Sequence, residues 1–514
     1  MAWVVANQPN IRAEPIIPAS ALLVKDLRAT ALEYANNLME YYFLMAAYEG
    51  VRSLVELGVI KQHERESDSN YIRRITELFG FDYTRSIVDL FTFYLFKKPG
   101  TQHLPEGLTN LPEWQAFVQD CNLHGDSLEE FLPDQTRYAA IYGLVGFLVD
   151  KPRGDAQTLA DERRAGSYPY ISAYHPTAIL DWTWLKDEVS QRPYLGYLKL
   201  LDDDGTYHLW WRDRWEIWAE PDDTDNASAV QGEIEAVLVA SGDNPLGEIP
   251  FVWLYNLRSR IKGVGVSDVH EVARIDLSII RDMSQISEIT SYAAFPMMRK
   301  PMIIPGEEVQ DDVGPTAILE FNPELGMAGK PDWLRAEVTG PVQAILNVIA
   351  KKVAEIYRAT NAGGLTATET SNAAKSGMAL QAEFQFLNAN IVRKAVNLEK
   401  AENNIIRFWL KWIRLENLIK ETRFERPRNY DVQNLAADLE NMMTAKTIVP
   451  SVTFKQEMSK TTARAMLPGA DDKLLQIIDK EIEDTPEAPP SLPPMGSQFD
   501  EDPDAEEQPE EDVE

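Results

Sequence analysis

The sequence predicts an α+β fold in which an antiparallel β region lies between helical blocks. Apolar side chains recur at helical spacing in residues 20–62 and 70–97. Residues 168–254 are instead rich in Tyr, Trp, Ile and Val, and short turn sequences divide them. Residues 373–413 keep helical apolar spacing over their whole length. A chain of 514 residues with this order is long enough for several structural units.

The N-terminal block is predicted to be helical up to one buried strand. The sequence KKPG at residues 97–100 ends the second helix, because cations favour a last helical turn and Pro-Gly does not continue it. Residues 127–144 form a further predicted helix. The run GLVGFLVD at residues 143–150 is continuously apolar, which is typical of a fully buried strand.

The β region is predicted to be mostly antiparallel. The sequences DDDG, EPDD and SGDNP separate its segments and are typical of hairpin turns. The predicted strands cover residues 168–184, 194–201, 207–219, 233–239 and 249–254.

Two helices around a small β insert are predicted next. Residues 266–294 have helical spacing with Ser267 or Asp268 as N-cap, and Phe295-Pro296 ends the helix. Pro341 is predicted at the first position of a helix that runs to about residue 360. Two helices that flank a β insert would form an antiparallel finger. The short strands of the insert are predicted at residues 302–304, 317–321 and 334–338.

A Gly-, Thr- and Ser-rich stretch, residues 361–374, is predicted to be a loop before the longest helix. That helix, about residues 373–413, would span roughly 60 Å at 1.5 Å per residue. A break is predicted at Arg426-Pro427, and two or three short helices are predicted between residues 432 and 482.

The charge is strongly negative and unevenly distributed. The chain has 81 acidic and 50 basic side chains, a net charge of −31. Residues 481–514 hold fourteen acids and no Lys or Arg, so residues 483–514 are predicted to form a disordered acidic tail. Such a chain is not expected to bind nucleic acid tightly through its overall field.

No catalytic residue, metal site or cofactor is predicted. The six histidines are scattered, and the single Cys121 excludes a Cys-rich metal site or an internal disulfide. Gly263-Val264-Gly265 fits a hinge before a helix better than a nucleotide loop, and residues 202–205 fit a hairpin turn better than a calcium loop. The N-terminus lacks a signal-peptide pattern, and no apolar run reaches the ~20 residues that span a membrane.

One enzyme alternative stays open. Glu216 and Glu220 could act as an acid/base pair, and a cluster of tryptophans could stack on sugars. Chance carboxylate pairs are frequent in so acidic a chain, and packing within a sheet or at a subunit interface explains the aromatic cluster more simply. The cluster consists of Trp182, Trp184, Trp210, Trp211, Trp215 and Trp218.

Four segments together resemble the portal proteins of tailed bacteriophages, the ring-forming head-to-tail connectors. Residues 71–100, YIRRITELFGFDYTRSIVDLFTFYLFKKPG, are similar to a helix-rich opening of this family. Residues 174–182, YHPTAILDW, and residues 366–369, TATE, match later segments. The most specific segment is residues 120–152, with the pattern Asp120, Gly125, Ser127-Leu128, Phe131, Gly146, Leu148-Val149-Asp150 and Pro152.

The resemblance implies a portal fold with a mixed α/β wing, a two-helix stem, a small β-containing clip, a long spine helix and a helical crown. Its implied segments are the wing at 1–264, the stem helices at 265–294 and 341–360, the clip at 295–340, the tunnel loop at 361–374, the spine helix with its return at 373–431 and the crown at 432–482.

The resemblance also implies site residues. We expect cations facing the channel at Lys351, Lys352, Arg358 and Lys375, with pairing across subunits as the equally weighted alternative. The clip residues expected to dock a motor or adaptor are Arg299, Lys300, Glu320, Lys330 and Arg335. The tunnel loop is expected to present Asn361, Gly363, Gly364, Thr366, Thr368, Glu369, Ser371 and Asn372.

The implied partners are eleven further copies of the chain, double-stranded DNA that passes through the ring, the terminase large subunit, a head–tail adaptor, the major capsid protein and a scaffold. The implied location is the portal vertex of the virion, and the host cytoplasm during assembly, with no membrane contact. The competing classes are another virion or tail interaction protein and, with less support, a sugar-active hydrolase.

Overall fold

The computed structural model describes residues 22–64, 66–152, 161, 164, 166–221, 234–294, 297–299, 332–334, 338–360, 377–430, 451–466 and 472–484. The chain divides into two compact units, residues 1–431 and 432–514. Helices and antiparallel sheets occur together in the first unit, which agrees with the predicted α+β class.

The N-terminal block is helical, as predicted, but its helices are shorter than the periodicity indicated. Gly50 has a φ of +104° and separates two helices that the sequence merged into one. Asp82, at φ +50°, begins a new helix within residues 70–97. The helices are α1 (Val24–Arg28), α2 (Leu32–Glu49), α3 (Val51–Glu56), α4 (Asp68–Thr76), α5 (Tyr83–Phe96), α6 (Glu106–Thr109), α7 (Pro112–Gln119) and α8 (Leu128–Tyr142).

A three-stranded antiparallel sheet follows α8. Its central strand, β2 (Leu144–Asp150), is buried along its whole length, as the apolar run predicted. β3 (Tyr170–Tyr174) and β9 (Phe251–Tyr255) pair with its two edges. The short strand β1 (Thr101–His103), which precedes α6, pairs with β14 (Arg423–Glu425) near the end of the unit.

A five-stranded antiparallel meander forms the rest of the β region, with each strand paired to the next. A helical turn at Pro176–Ala178 divides the predicted strand of residues 168–184, and a tight turn at Arg212-Asp213 divides that of residues 207–219. Gly205, at φ +82°, closes the predicted hairpin turn of residues 202–205. The strands are β4 (Ile179–Lys186), β5 (Pro193–Leu201), β6 (Tyr207–Trp211), β7 (Arg214–Ala219) and β8 (Val237–Asp243).

The tryptophan cluster lies mainly in the core beside this sheet. Trp182, Trp210, Trp211 and Trp218 are buried, and Trp184 and Trp215 pack against them. The packing interpretation of the aromatic cluster is therefore confirmed.

A buried lysine, Lys199, donates to the carbonyl oxygens of residues 26, 27 and 29 at the end of α1.

In the segment that resembles portal proteins, residues 120–152, several residues of the pattern have structural roles. The Gly125 amide donates to Asp120 at 3.0 Å, and Ser127 and Glu130 form a reciprocal capping box at the start of α8. A Cβ at Gly146 would lie 2.0 Å from the Phe251 ring, so only glycine fits there. The motif thus specifies a turn, a helix start and a close contact between strands.

The second half contains three long helices. α9 (His270–Ala294) and α10 (Thr339–Ala359) contact each other, and β12 (Met297–Arg299) pairs antiparallel with β13 (Asp332–Leu334) between them in sequence. α10 begins two residues before Pro341, so this proline is not at the first helical position. α11 (Gly377–Trp412) has 36 residues and spans about 54 Å. Before α9, β10 (Leu257–Arg258) pairs with β11 (Gly265–Val266).

The structure describes only part of the predicted β insert and of the short helices predicted between residues 432 and 482. The predicted strands at 302–304 and 317–321 lie outside the described residues, and β13 overlaps the predicted strand of 334–338 only at Leu334. In the second unit, α12 (Val452–Met466) and α13 (Asp472–Asp484) are joined by ion pairs from Lys460 to Glu483 and from Arg464 to Asp479.

Gly265→Ala is expected to destabilise the first unit by roughly 3 kcal/mol. A Cβ at Gly265 would lie 1.9 Å from the carbonyl oxygen of Gly143, so the backbone before α9 would have to move. Thermal unfolding by calorimetry measures the change. Gly107→Ala is the matched control, because no atom lies within 4 Å of its Cβ position. Equal melting temperatures for the two variants would contradict this account.

Candidate functional site on helices α9 and α10

The paired helices α9 and α10 are the two helices of the predicted finger. The first half of α9 is buried in the main core through residues such as Val272 and Ile279, and α10 contributes Ile349 and Ile356 to the same core. The first half of α10 is largely exposed. The pair is therefore anchored at one end by hydrophobic burial.

Lys352 joins the two helices. Its Nζ donates to Asp282 Oδ2 at 2.6 Å and to Ser278 Oγ at 2.7 Å, and both acceptors lie on α9. The lysine and the carboxylate are each mostly buried. Of the four predicted channel cations, Lys352 is thus engaged within its own chain, and its geometry gives it a structural role in holding the helices together.

The other predicted cations are placed differently. Lys351 is exposed on α10. Arg358 is also exposed and pairs with Glu355 of the same helix at 2.5 Å, an arrangement that adds little stability because solvent screens it. Lys375 lies outside the described residues.

The predicted tunnel loop and most of the clip also lie outside the described residues. Arg299 ends β12 and is in register with Asp332 of β13. The remaining sites that the structure does not describe are Lys300, Glu320, Lys330, Arg335 and the tunnel-loop residues Asn361, Gly363, Gly364, Thr366, Thr368, Glu369, Ser371 and Asn372.

Two buried polar contacts, one just before α9 and one in its first half, are not predicted by the sequence. Lys394 of α11 is 6% exposed, and its Nζ donates to Asp268 Oδ2 and, at 2.5 Å, to Asn256 Oδ1. Burial lowers the pKa of Lys394. Asp268, one of the two predicted N-caps, thus binds a lysine, and Ser267 Oγ accepts the Val269 amide instead. The sequence feature that could have indicated this contact is a lysine within the apolar stripe of α11.

Asp276 is the second of these contacts. It is 2% exposed and accepts hydrogen bonds from the backbone amide and the hydroxyl of Thr84 at 2.9 and 2.8 Å. Burial raises the pKa of its carboxyl group. The contact fixes the start of α5 against the first half of α9.

Further along α9, α4 and its preceding loop make another contact. Arg74 and Glu66 form a buried ion pair at 2.8 Å, and Glu288 of α9 lies 4.0 Å from the same arginine. The hydrogen bond from Arg74 lowers the pKa of Glu66 to about 2. Arg281 of α9 also donates to the Val59 carbonyl oxygen at 2.9 Å. Polar contacts therefore hold α9 along much of its length.

His270 and Arg274 contact α2 from the first turns of α9. The His270 ring and the Arg274 guanidinium both reach Glu40, at 2.8 and 2.7 Å. The half-exposed position of His270 agrees with the predicted surface or interface role.

The candidate acid/base pair is occupied by structural contacts. Glu220 accepts hydrogen bonds from Arg28 and Tyr207, and the bond from Arg28 lowers the pKa of the carboxyl group. Glu216 accepts from Arg214 at 3.0 Å and from the Trp218 indole at 2.9 Å. A general acid needs a raised pKa, so this geometry disfavours the hydrolase alternative.

Metal-binding clusters and membrane-spanning helices are both absent from the described residues. In the part of the chain that the structure describes, no group of three or more His, Cys, Asp or Glu side chains is arranged to hold a metal ion. None of the described helices combines the length and apolar character needed to cross a bilayer.

Comparison with known proteins gave structural neighbours only. No family model and no curated protein matches the sequence. A chain in the neck of an empty gene transfer agent particle, computed with C6 symmetry, matches with a TM-score of 0.41 and 11% identity over 77% of this chain and 95% of that chain. A chain from the virion of the native gene transfer agent particle matches at 0.40 and 10% identity, over 80% and 98%.

A third neighbour lies in the neck of the native particle, computed with C12 symmetry. Its TM-score is 0.36 at 9% identity, over 77% of this chain and 89% of that chain. All three TM-scores are below 0.5, and the location and symmetry are those of the particles named.

Proposed function

We propose that this chain is the subunit of a phage portal ring. Copies of the chain would surround a channel through which double-stranded DNA enters the capsid and later leaves it. The terminase large subunit would dock on the clip during packaging, and a head–tail adaptor would replace it. The major capsid protein and a scaffold would contact the ring from outside.

The observation that carries this proposal is the helix pair α9 and α10. One end of the pair is fixed in the core, Lys352 and Asp282 join its helices, and the paired strands β12 and β13 continue it. This is the element order that the resemblance implies for a stem and a clip. The motif of residues 120–152, in which Gly125, Ser127 and Gly146 have defined structural roles, supports the same family.

Exposed apolar side chains on α10 favour a multimer. Leu346 and Val348 are 42% and 46% exposed. Residues two apart on a helix point to different sides, so these two side chains leave apolar surface on two sides of α10. A helix within a closed ring has a neighbouring subunit on each side, which would cover both.

The strongly negative net charge of the chain suits a channel through which DNA slides. An acidic wall repels phosphates, and at physiological salt this repulsion is screened over about 8 Å, so a few exposed cations can contact the duplex without holding it. Lys351 and Arg358 are the described candidates for such cations. Lys375 and the tunnel loop would complete the channel wall. The chain as a whole carries a net charge of −31.

The test is the mass and shape of the purified full-length protein. A ring of twelve 58.2 kDa chains has a mass of about 700 kDa, and light scattering with negative-stain imaging should show a hollow ring. If the ring forms, packaging of DNA by the terminase motor should require it. A monodisperse 58.2 kDa monomer would contradict the proposal, and an open fibre would favour another virion or tail component.

A further inference from the structure

A groove of about 700 Å³ lies apart from the proposed stem, between the five-stranded sheet, β9 and α11. The β4–β5 turn supplies Arg192, and the β6–β7 turn supplies Arg212. Arg258 and Lys262 come from the segment after β9, and Arg407 and Lys411 from the last turns of α11. Asp187 and Glu248 are the acidic lining residues, so cations predominate in a groove of a strongly acidic protein.

Four of the six cations form no ion pair with a residue that the structure describes. Arg407 and Lys411 both bind Glu248. The other four cations are exposed, and none of them is within 4.0 Å of a carboxylate oxygen among the residues that the structure describes. These four, Arg192, Arg212, Arg258 and Lys262, leave the groove an excess of positive charge that an anionic ligand could bind.

Aromatic rings hold three of the cations in place. The Arg212 guanidinium lies 4.6 Å from the centre of the Tyr194 ring, and Lys262 Nζ lies 4.9 Å from that of Trp184. Arg258 lies 5.5 Å from the Tyr255 ring. An aromatic ring carries no net charge, so it orders a cation without compensating its positive charge, whereas a carboxylate compensates it. The groove therefore combines aromatic surface with ordered charge.

The sequence contains a segment with the complementary chemistry. Residues 486–494, PEAPPSLPP, contain two Pro-x-x-Pro spacings, and residues 500–514 contain ten acidic side chains without a Lys or Arg. Pro-x-x-Pro sequences favour the polyproline II conformation, which docks in aromatic-lined grooves at low entropic cost. Adjacent acids would meet the unpaired cations.

We propose that the groove binds an acidic, proline-containing polypeptide, and that its occupant is residues 486–514 of a second copy of this chain. This contact would link one copy to another through the C-terminal segment. The inference does not depend on the portal assignment, because the groove and the segment have matching chemistry in any assembly.

Nucleic acid is the other polyanion with which such a groove is compatible. The overall net charge of −31 disfavours it, because long-range repulsion acts on a phosphate backbone before any local contact forms. The proline spacings favour the polypeptide, because they use the aromatic surface as well as the charge.

The test uses the full chain with a benzoylphenylalanine photo-crosslinker in place of Phe499, mixed with a full chain that carries an affinity tag. We expect crosslinks from the first chain to groove residues of the tagged chain. Arg212→Glu with Arg258→Glu in the tagged chain should reduce their yield about tenfold, which corresponds to about 1.4 kcal/mol of lost binding. Raising the salt to 0.5 M should also reduce it.

Lys400→Glu with Lys420→Glu is the matched control, since both lysines are exposed and neither lines the groove. This variant changes the charge equally and should leave the crosslink yield unchanged. Crosslinks that lie elsewhere, or that fall equally in both variants, would overturn the proposal. Loss of the groove crosslinks on adding an equimolar DNA oligonucleotide would overturn it in favour of nucleic acid. Ring imaging of the same samples separates this result from the portal assignment.

Discussion

Lys394→Met is expected to lower the free energy of unfolding by about 3–5 kcal/mol. Methionine fills the space of the lysine stem but leaves Asp268 as a buried carboxylate without its cation, and removing one partner of a buried pair carries a penalty of this size. The Asn256 side chain would lose a hydrogen bond as well. Urea denaturation, followed by tryptophan fluorescence, measures the change.

The double variant Lys394→Met with Asp268→Asn distinguishes charge from packing. It removes both charges, so its destabilisation should be clearly smaller than the sum for the two single variants. Lys400→Met, at an exposed position of the same helix, is the control and should change stability by less than about 0.5 kcal/mol. A Lys394→Met chain as stable as this control would show that the pair is not structurally important.

The buried Lys394–Asp268 pair also shows which kind of contact the sequence alone does not predict. The helical spacing that predicts α11 includes Leu387, Ile391 and Leu398, all of which are buried in the core. A lysine between them was visible, but its partner lies 126 positions earlier in the chain. Local spacing reports which face of a helix is buried, whereas a long-range polar partner is fixed only by the tertiary packing.

The same distinction applies to the candidate functional site. The sequence correctly predicted a helix on each side of a β insert, because the hydrophobic spacing and the Phe295-Pro296 breaker are local signals. It did not predict that Lys352 would reach Asp282, seventy positions away on the other helix. Charge alone cannot tell a cation that faces a channel from one that joins two helices of the same chain.

Element boundaries were less predictable than element types. Gly50 ends α2 because its positive φ interrupts the helix, although the apolar spacing continues through α3. The hairpin between β6 and β7 was merged into one strand because Arg212-Asp213 lacks the Gly or Asn that usually marks a tight turn. Both boundaries therefore depend on the backbone conformation of one or two residues, which hydrophobic spacing does not report.

Leu346→Glu with Val348→Glu is expected to abolish the proposed ring and leave a folded monomer. Each subunit would place two carboxylates in apolar contact surfaces, and burying an unpaired charge costs several kcal/mol at every contact of the ring. Both side chains are already exposed within the single chain, so the fold itself should tolerate the change. Light scattering should show a shift from about 700 kDa to 58.2 kDa, and circular dichroism should stay the same.

The control must add the same charge at apolar positions that the ring would leave open. Val189 and Leu123 are 94% and 43% exposed and lie outside α9 and α10, so Val189→Glu with Leu123→Glu should leave the assembled mass unchanged. Loss of assembly in both variants would mean that added negative charge, rather than the faces of α10, dissociates the particle. Intact rings in the Leu346/Val348 variant would place the subunit contacts elsewhere and remove α10 from the proposed channel wall.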